Sequence, residues 1–305
     1  MAEAQRDQAR GRLKHRGVQP ATPRRADPDS IDHLTPVSGR PPLREYLTQL
    51  LERRHFITMH AWSQSASRHR GTLLGNAWLI LSPALDGMVY FLIFGVLMHA
   101  RRDVPNYFGY LVVGVFLFAF TSRSVVGAAS SISNSRSLIR AFSFPRAAVP
   151  VAATLRETFA TLPVFAAMVV LLIVVPPHAY PSRYWTLVPL VFVMHAGFNL
   201  GLGLLLARIT STFADLKVLL PYFVRLWMYS SAVMFTIERF DSQPPLGEIV
   251  RANPMYVALT MYRSLLLENT MPGAREWLGF FLWAMSAAIV GMLVFWRGEV
   301  GYGRE

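Results

Sequence analysis

The sequence predicts an all-α membrane protein with six transmembrane helices, both termini on the cytoplasmic side, and two observations predict it. Of its 305 residues 53% are hydrophobic and only 16% charged, against roughly 25% charged in soluble domains. The charges are also unevenly placed: residues 1–77 carry 13 Lys/Arg and 7 Asp/Glu, 20 of the 48 in the chain, so the other 228 residues are depleted and suited to lipid. A net charge of +12 that flanks apolar spans orients a chain in a membrane, so nucleic acid is not an expected partner. With no cysteine, disulfides, thiolate-bound metals and thiol catalysis are excluded.

Residues 1–42 are rich in Arg, Pro, Asp and Gln without an apolar period and are expected to form a disordered, basic cytoplasmic tail. No apolar core of a secretory signal follows the basic start, so a cleaved leader is not expected. From Leu43 the pattern changes. Leu43, Tyr46, Leu47, Leu50 and Leu51 share one helical face, with Arg44, Glu45, Glu52 and Arg53 opposite, which predicts an amphipathic interface helix over residues 43–62 lying at the membrane surface. Six apolar stretches follow at residues 77–100, 107–131, 149–175, 184–207, 218–237 and 277–296, each near the roughly 20 residues that cross about 30 Å of hydrocarbon. Residues 297–305 form a short tail.

With both termini inside, 20 Lys/Arg fall on the cytoplasmic side and seven outside, Arg101, Arg102, Arg183, Arg239, Arg251, Arg263 and Arg275, which is the positive-inside bias. Between spans five and six, residues 238–276 are too long for a turn and too broken for a span. Asn253-Pro254 can open a helix in which Met255, Ala258, Leu259, Tyr262, Leu265 and Leu266 keep helical spacing, so short amphipathic helices dipping into the outer face are expected there.

Catalytic motifs are missing. Lys14 follows Leu13 and Lys217 follows Leu216, so no Gly-Lys-Ser/Thr phosphate loop exists and the chain is not expected to hydrolyse ATP. The eight His show no metal-ligand spacing, and His195, alone in span four, suits helix packing. Two loop segments are more informative. Residues 70–75, RGTLLG, lead a cationic, glycine-spaced segment into Trp78 and Pro83. Residues 134–145, NSRSLIRAFSFP, put Leu138, Ile139, Phe142 and Phe144 beside Arg136 and Arg140 on a cytoplasmic loop, the make-up of a docking knob.

These segments, with AWLILSPAL (77–85), Phe144-Pro145-Arg146, FADLKVLLP (213–221), NPM (253–255) and YRSLLL (262–267) in that order, resemble the ABC-2 family of exporter permeases, and most of all its polysaccharide branch. The resemblance covers roughly residues 43–296. It implies a homodimer of six-span subunits in a bacterial plasma membrane, docked to two copies of a separate nucleotide-binding ATPase that holds ATP and Mg. Docking would run through the interface helix and a coupling helix in residues 133–145, with Arg136, Leu138, Ile139, Arg140, Phe142 and Phe144 as contacts. The implied cargo is lipid-linked polysaccharide of the O-antigen, teichoic acid or galactan kind. The alternatives are a drug or lipid exporter of the same fold, and an integral-membrane glycosyl- or acyltransferase.

Charges inside the spans bear on that cargo. Arg123, Arg156 and Arg225 fall in the cytoplasmic halves of spans two, three and five, where each costs at least about 2.5 kcal/mol if it faces lipid. The structural reading is neutralisation by Asp86 and Glu157, with Arg123 snorkelling to the headgroups. The functional reading is that some of them, with Arg70, receive a lipid-linked diphosphate, because guanidinium forks match phosphate oxygens. Aromatic rings could let a sugar polymer slide, and Tyr110, Phe116, Tyr222, Trp227 and Tyr229 are the conduit candidates, with Tyr107, Phe108 and Phe120 nearby. The native chain lacks cysteine, so single-cysteine labelling reads topology directly: Ser38→Cys and Ser143→Cys should label from the cytoplasm and Ser242→Cys from outside, and cytoplasmic labelling at residue 242 would refute this arrangement.

Overall fold

The computed structural model describes residues 41–67, 74–97, 104–141, 144–237 and 244–299, and among these residues every regular element is helical. The expected interface helix is two helices, α1 (Leu43–Glu52) and α2 (Arg54–Ser67). They part at Arg53, whose amide is shared between the carbonyls of Gln49 and Leu51, a tightened final turn. Tyr46 faces inward and is buried, while Leu47 and Leu51 on the same apolar stripe stay exposed.

Five helical segments are long and apolar enough to cross a bilayer: Trp78–Leu97, Tyr107–Asn134, Ala148–Val174, Arg183–Thr212 and Ala274–Arg297. Within the first, α3 (Trp78–Tyr90) passes into a π-wound stretch at Phe91–Leu97. The second is α4 (Tyr107–Asn134), whose Asn106 side chain caps the Gly109 amide at 2.8 Å. After the short α5 (Arg136–Ala141) comes α6 (Ala148–Val174), and α7 (Val188–Thr212) follows a 3-10 turn at Arg183–Leu187.

The stretch expected as span five, residues 218–237, forms a shorter helix, α8 (Leu216–Ser230). Its 15 residues rise about 22 Å, short of the hydrocarbon thickness of about 30 Å. Ala232 adopts φ 50°, a left-handed conformation that ends the helix, and Ser231 to Met234 continue as buried, non-helical chain. The apolar residues Val233 and Met234 gave the sequence its longer span, but apolarity does not distinguish a helix from a buried turn. Beyond lie α9 (Pro244–Ala252) and α10 (Pro254–Arg263), the latter continued by a π turn to Glu268, then α11 (Ala274–Arg297). The Asn253 side chain caps the Met255 amide at 3.0 Å, with Pro254 in the first turn. Met255, Ala258, Leu259, Tyr262, Leu265 and Leu266 are all buried in the protein, so the stripe packs against helices where a membrane-facing role was expected.

Helix α4 is the hub, buried along most of its length and packed on α6 and α7. The most extensive pairing joins α7 to α11. There Gly201 lies against the backbone of Ala287 and Ala288, and Gly291 against that of Gly201, so that a Cβ on either glycine would overlap the facing main chain. Such close approach is how helices gain contact in lipid, where no hydrophobic force pulls them together. By contrast α3 with its π-wound continuation, and α8, expose Met88, Leu92, Leu97, Val218, Tyr222 and Leu226. Gly201→Val should therefore pry α7 from α11 at a cost of about 3 kcal/mol, seen as loss of the monodisperse peak in detergent size-exclusion chromatography, whereas Gly197→Ala, where a Cβ meets nothing, should leave it intact.

Candidate functional site

A cavity of about 540 Å³ lies between α2, α4 and α6, with Pro221 of α8 at its edge. His60, Gln64, Arg123, Ser130, Arg156 and Glu157 are among the residues that line it. From α6, Arg156 donates through Nε and Nη2 to Glu157 Oε1, both at 3.0 Å, and through Nη1 to Gln64 Oε1 at 3.2 Å. Gln64 Nε2 in turn sits 2.9 Å from His60 Nε2. Gly127 of α4 makes this possible, since a Cβ there would stand 3.3 Å from Arg156 Nη2. The carboxylate of Glu157 is fully buried while Arg156 is 26% exposed, so the arginine neutralises the acid and keeps part of its fork turned to the cavity. With Arg123 of α4 also in the lining and Ser122, Ser130, Ser131 and Asn134 adding hydroxyls and an amide, the described lining holds two guanidinium groups against one carboxylate. That arrangement favours a phosphate-like anion.

The structure thus brings Arg123 and Arg156 into one cavity and separates Arg225, which is exposed on α8 and lies within electrostatic reach of Tyr90, as do Asp86 and Tyr229. Arg70 lies outside the described residues. So do Phe142 and the side chains of Leu138 and Arg140. Of the other docking candidates, Arg136 is exposed and Phe144 is half-buried. Ile139 is buried in a cluster with Tyr46, Ala147 and Phe295, so it packs α5 against the bundle. Sequence spacing could not show this, because a six-residue helix presents an apolar face equally well to a partner or to its own core.

The conduit candidates divide. Phe116 and Phe120 are buried in the core around α4, and Phe116 also borders a cavity beside Tyr107 and Phe108; α4 is enclosed on several sides, a fact absent from its own periodicity. Tyr110 is also turned inward, its hydroxyl 2.9 Å from the carbonyls of both Ala232 and Phe235. Trp227 donates from Nε1 to Asn253 Oδ1 at 2.9 Å, and Tyr222 and Tyr229 are exposed on α8. His195 pairs with Thr121, Nε2 to Oγ1 2.6 Å, consistent with a packing histidine.

One residue was missed. Counted in sequence as an outer-loop cation, Arg263 is 4% exposed. Its Nη1 donates to the Ala232 carbonyl at 3.1 Å, and its Nη2 donates to those of Val233 and Tyr110 at 3.1 and 3.3 Å. The guanidinium carbon stands 3.3 Å from the Tyr110 ring centre, a cation–π contact. Gly114 leaves the space, since a Cβ there would meet Arg263 Nη2 at 2.8 Å. The available signal was its place on the same helix as the buried stripe, directly after Tyr262.

Bilayer-length helices around a buried hub, with arginines turned into an internal polar cavity, are the build of a multi-pass α-helical membrane protein. Comparison with known proteins narrows this. The family model for ABC-2 type transporters matches residues 57–267. An O-antigen export system permease protein RfbA from Myxococcus xanthus is 28% identical over 236 residues, covering 76% of this chain and 85% of the relative. Two proteins of the same name from Klebsiella pneumoniae are 24% and 21% identical, covering 67% and 75% of this chain and 77% and 86% of their own lengths. The chain belongs to the ABC-2 type transporter family.

Because Arg263 satisfies carbonyls freed by the break after α8, Arg263→Met should cost about 3 kcal/mol, with Arg263→Lys intermediate. A thermal melt of the purified protein checks it, and an unchanged midpoint for the methionine variant would show that those carbonyls find other donors.

Proposed function

We propose that this chain is the permease subunit of an ATP-driven exporter that moves lipid-linked polysaccharide, of O-antigen, teichoic acid or galactan type, across a bacterial plasma membrane. The observation that carries the reading is the meeting of Arg123 and Arg156, from two helices, in one polar cavity of a chain whose relatives are named as O-antigen export permeases. A lipid-linked glycan is carried on a phosphate-bearing headgroup that must leave the leaflet surface, and two guanidinium forks beside serine hydroxyls suit that group.

In this reading both termini and α5 face the cytoplasm, α8 with its buried continuation counts as a sixth, broken span, and residues 238–276 face outside. Two copies of the chain pair, with the exposed faces of α3 and α8 available for the second copy or lipid. ATP and Mg belong to two copies of a separate ATPase, since no Gly-Lys-Ser/Thr loop is present here. That ATPase docks on the exposed faces of α1 and α2, away from buried Tyr46, and on residues 133–145 through Arg136, Leu138, Arg140, Phe142 and Phe144. Its ATP-driven closure pushes α5, which tilts α4 and α6 and opens a path between protomers. Tyr222, Trp227 and Tyr229 are the aromatics left to meet the polymer.

The test is ATP hydrolysis by the reconstituted permease–ATPase complex, with and without a lipid-diphosphate glycan. Arg123→Gln, and the electroneutral double variant Arg156→Gln/Glu157→Gln, should each reduce substrate stimulation about tenfold while docking of the ATPase persists. Arg156→Lys should fall between. Undiminished stimulation in both neutral variants would make the arginines structural and send the search for the headgroup site elsewhere.

A further inference from the structure

At the end of the bundle that carries α1, three segments distant in sequence meet on one acid. The Tyr46 hydroxyl on α1 donates to Glu299 Oε2 at 2.7 Å and accepts from the Ala147 amide at 2.9 Å. Glu299 Oε1 accepts from the Arg146 amide at 3.0 Å, and the Arg146 guanidinium donates back to the Glu299 carbonyl. One turn earlier, Trp296 Nε1 donates to the Pro41 carbonyl at 3.0 Å. The bonds are sheltered by an apolar cluster of Tyr46, Ile132, Ile139, Ala147, Leu204 and Phe295. Burial pushes the Glu299 carboxyl up from its ordinary range, and the Arg146 amide, the Tyr46 hydroxyl and the Arg146 charge pull it partly back.

An apolar cluster alone would hold these segments together yet allow sliding, because dispersion contacts are not directional. Charge-assisted hydrogen bonds to one carboxylate set distance and angle. They join the chain leaving α5, the start of α6, the first helix and the end of α11, and α11 is locked to α7 through Gly201 and Gly291. A push on α5 therefore reaches α6, α7 and α11 together. Helices α3 and α8 carry large exposed apolar faces and make none of these bonds.

We infer that Glu299, Tyr46 and the Arg146–Ala147 main chain form a positioning clamp that makes α1, the α5–α6 junction and α11 respond to the partner ATPase as one body. The clamp sets how much polymer moves per ATP and does not itself touch polymer or nucleotide. It rests on the exporter reading above.

The experiment uses the full permease–ATPase complex in proteoliposomes and measures ATPase affinity, ATP hydrolysis and polymer exported per ATP. Tyr46→Phe keeps the buried ring and deletes both hydroxyl bonds, and Glu299→Ala deletes the acid. Both should keep ATPase affinity within about twofold and continue to hydrolyse ATP, while polymer per ATP falls about tenfold. Because the native chain has no cysteine, the Tyr46→Cys/Glu299→Cys protein can be bridged by a bifunctional thiol reagent, and bridging should restore polymer per ATP. A wild-type ratio in Tyr46→Phe, a loss of ATPase affinity in step with export, or a bridged protein that stays uncoupled would each overturn the clamp. If the wild-type complex binds ATPase and hydrolyses ATP but moves no lipid-linked polymer, the exporter reading fails and the clamp falls with it.

Discussion

A helix that stops inside a hydrocarbon-thick bundle leaves carbonyl oxygens that no water can reach, and each must find a donor within the protein. The way Arg263 meets that demand governs much of this structure. Its guanidinium closes on the carbonyls of Ala232 and Val233, just past the last turn of α8, and on Tyr110 of α4, so a short helix, a buried turn and the hub helix become one unit. A lysine could supply three donors but not the planar fork that reaches several acceptors while lying on a tyrosine ring. Tyr107 joins the same seam by donating to the Met234 carbonyl at 2.8 Å. Burial of the charge is tolerable because it lies among these acceptors and not in lipid.

The second constraint is close approach. In lipid, helices are held by contact and not by expulsion of water, so the glycines at 201 and 291 decide which pair of helices is inseparable. The bundle is accordingly uneven: α4, α6, α7 and α11 bury their faces in one another, while α3 and α8 turn broad apolar surfaces outward.

Electrostatics at the cavity follows the same economy of partners. Glu157 is fully buried and would be costly alone, and its neighbour Arg156 removes that cost without being consumed by it, since part of the guanidinium remains in the cavity. The neutralising pair expected for the in-span arginines is thus present for Arg156, and the described lining stays cationic because Arg123 lines the same cavity.

Much of this was legible in sequence. The five bilayer-length helices fall within a few residues of their apolar stretches, and the Asn253-Pro254 start of α10 is where its capping chemistry puts it, because hydropathy, spacing and caps are properties of neighbouring residues. The tertiary structure alone decided where span five breaks, that Ile139, Phe116 and Phe120 face the core, that Arg123 meets Arg156 while Arg225 does not, and that Arg263 and Glu299 are buried anchors. The physical reason is that an aromatic or a charge has the same local pattern whether lipid, a partner or another helix covers it. The covering is set by contacts such as Gly201 with Gly291 or Tyr46 with Glu299, between residues that no window of sequence contains.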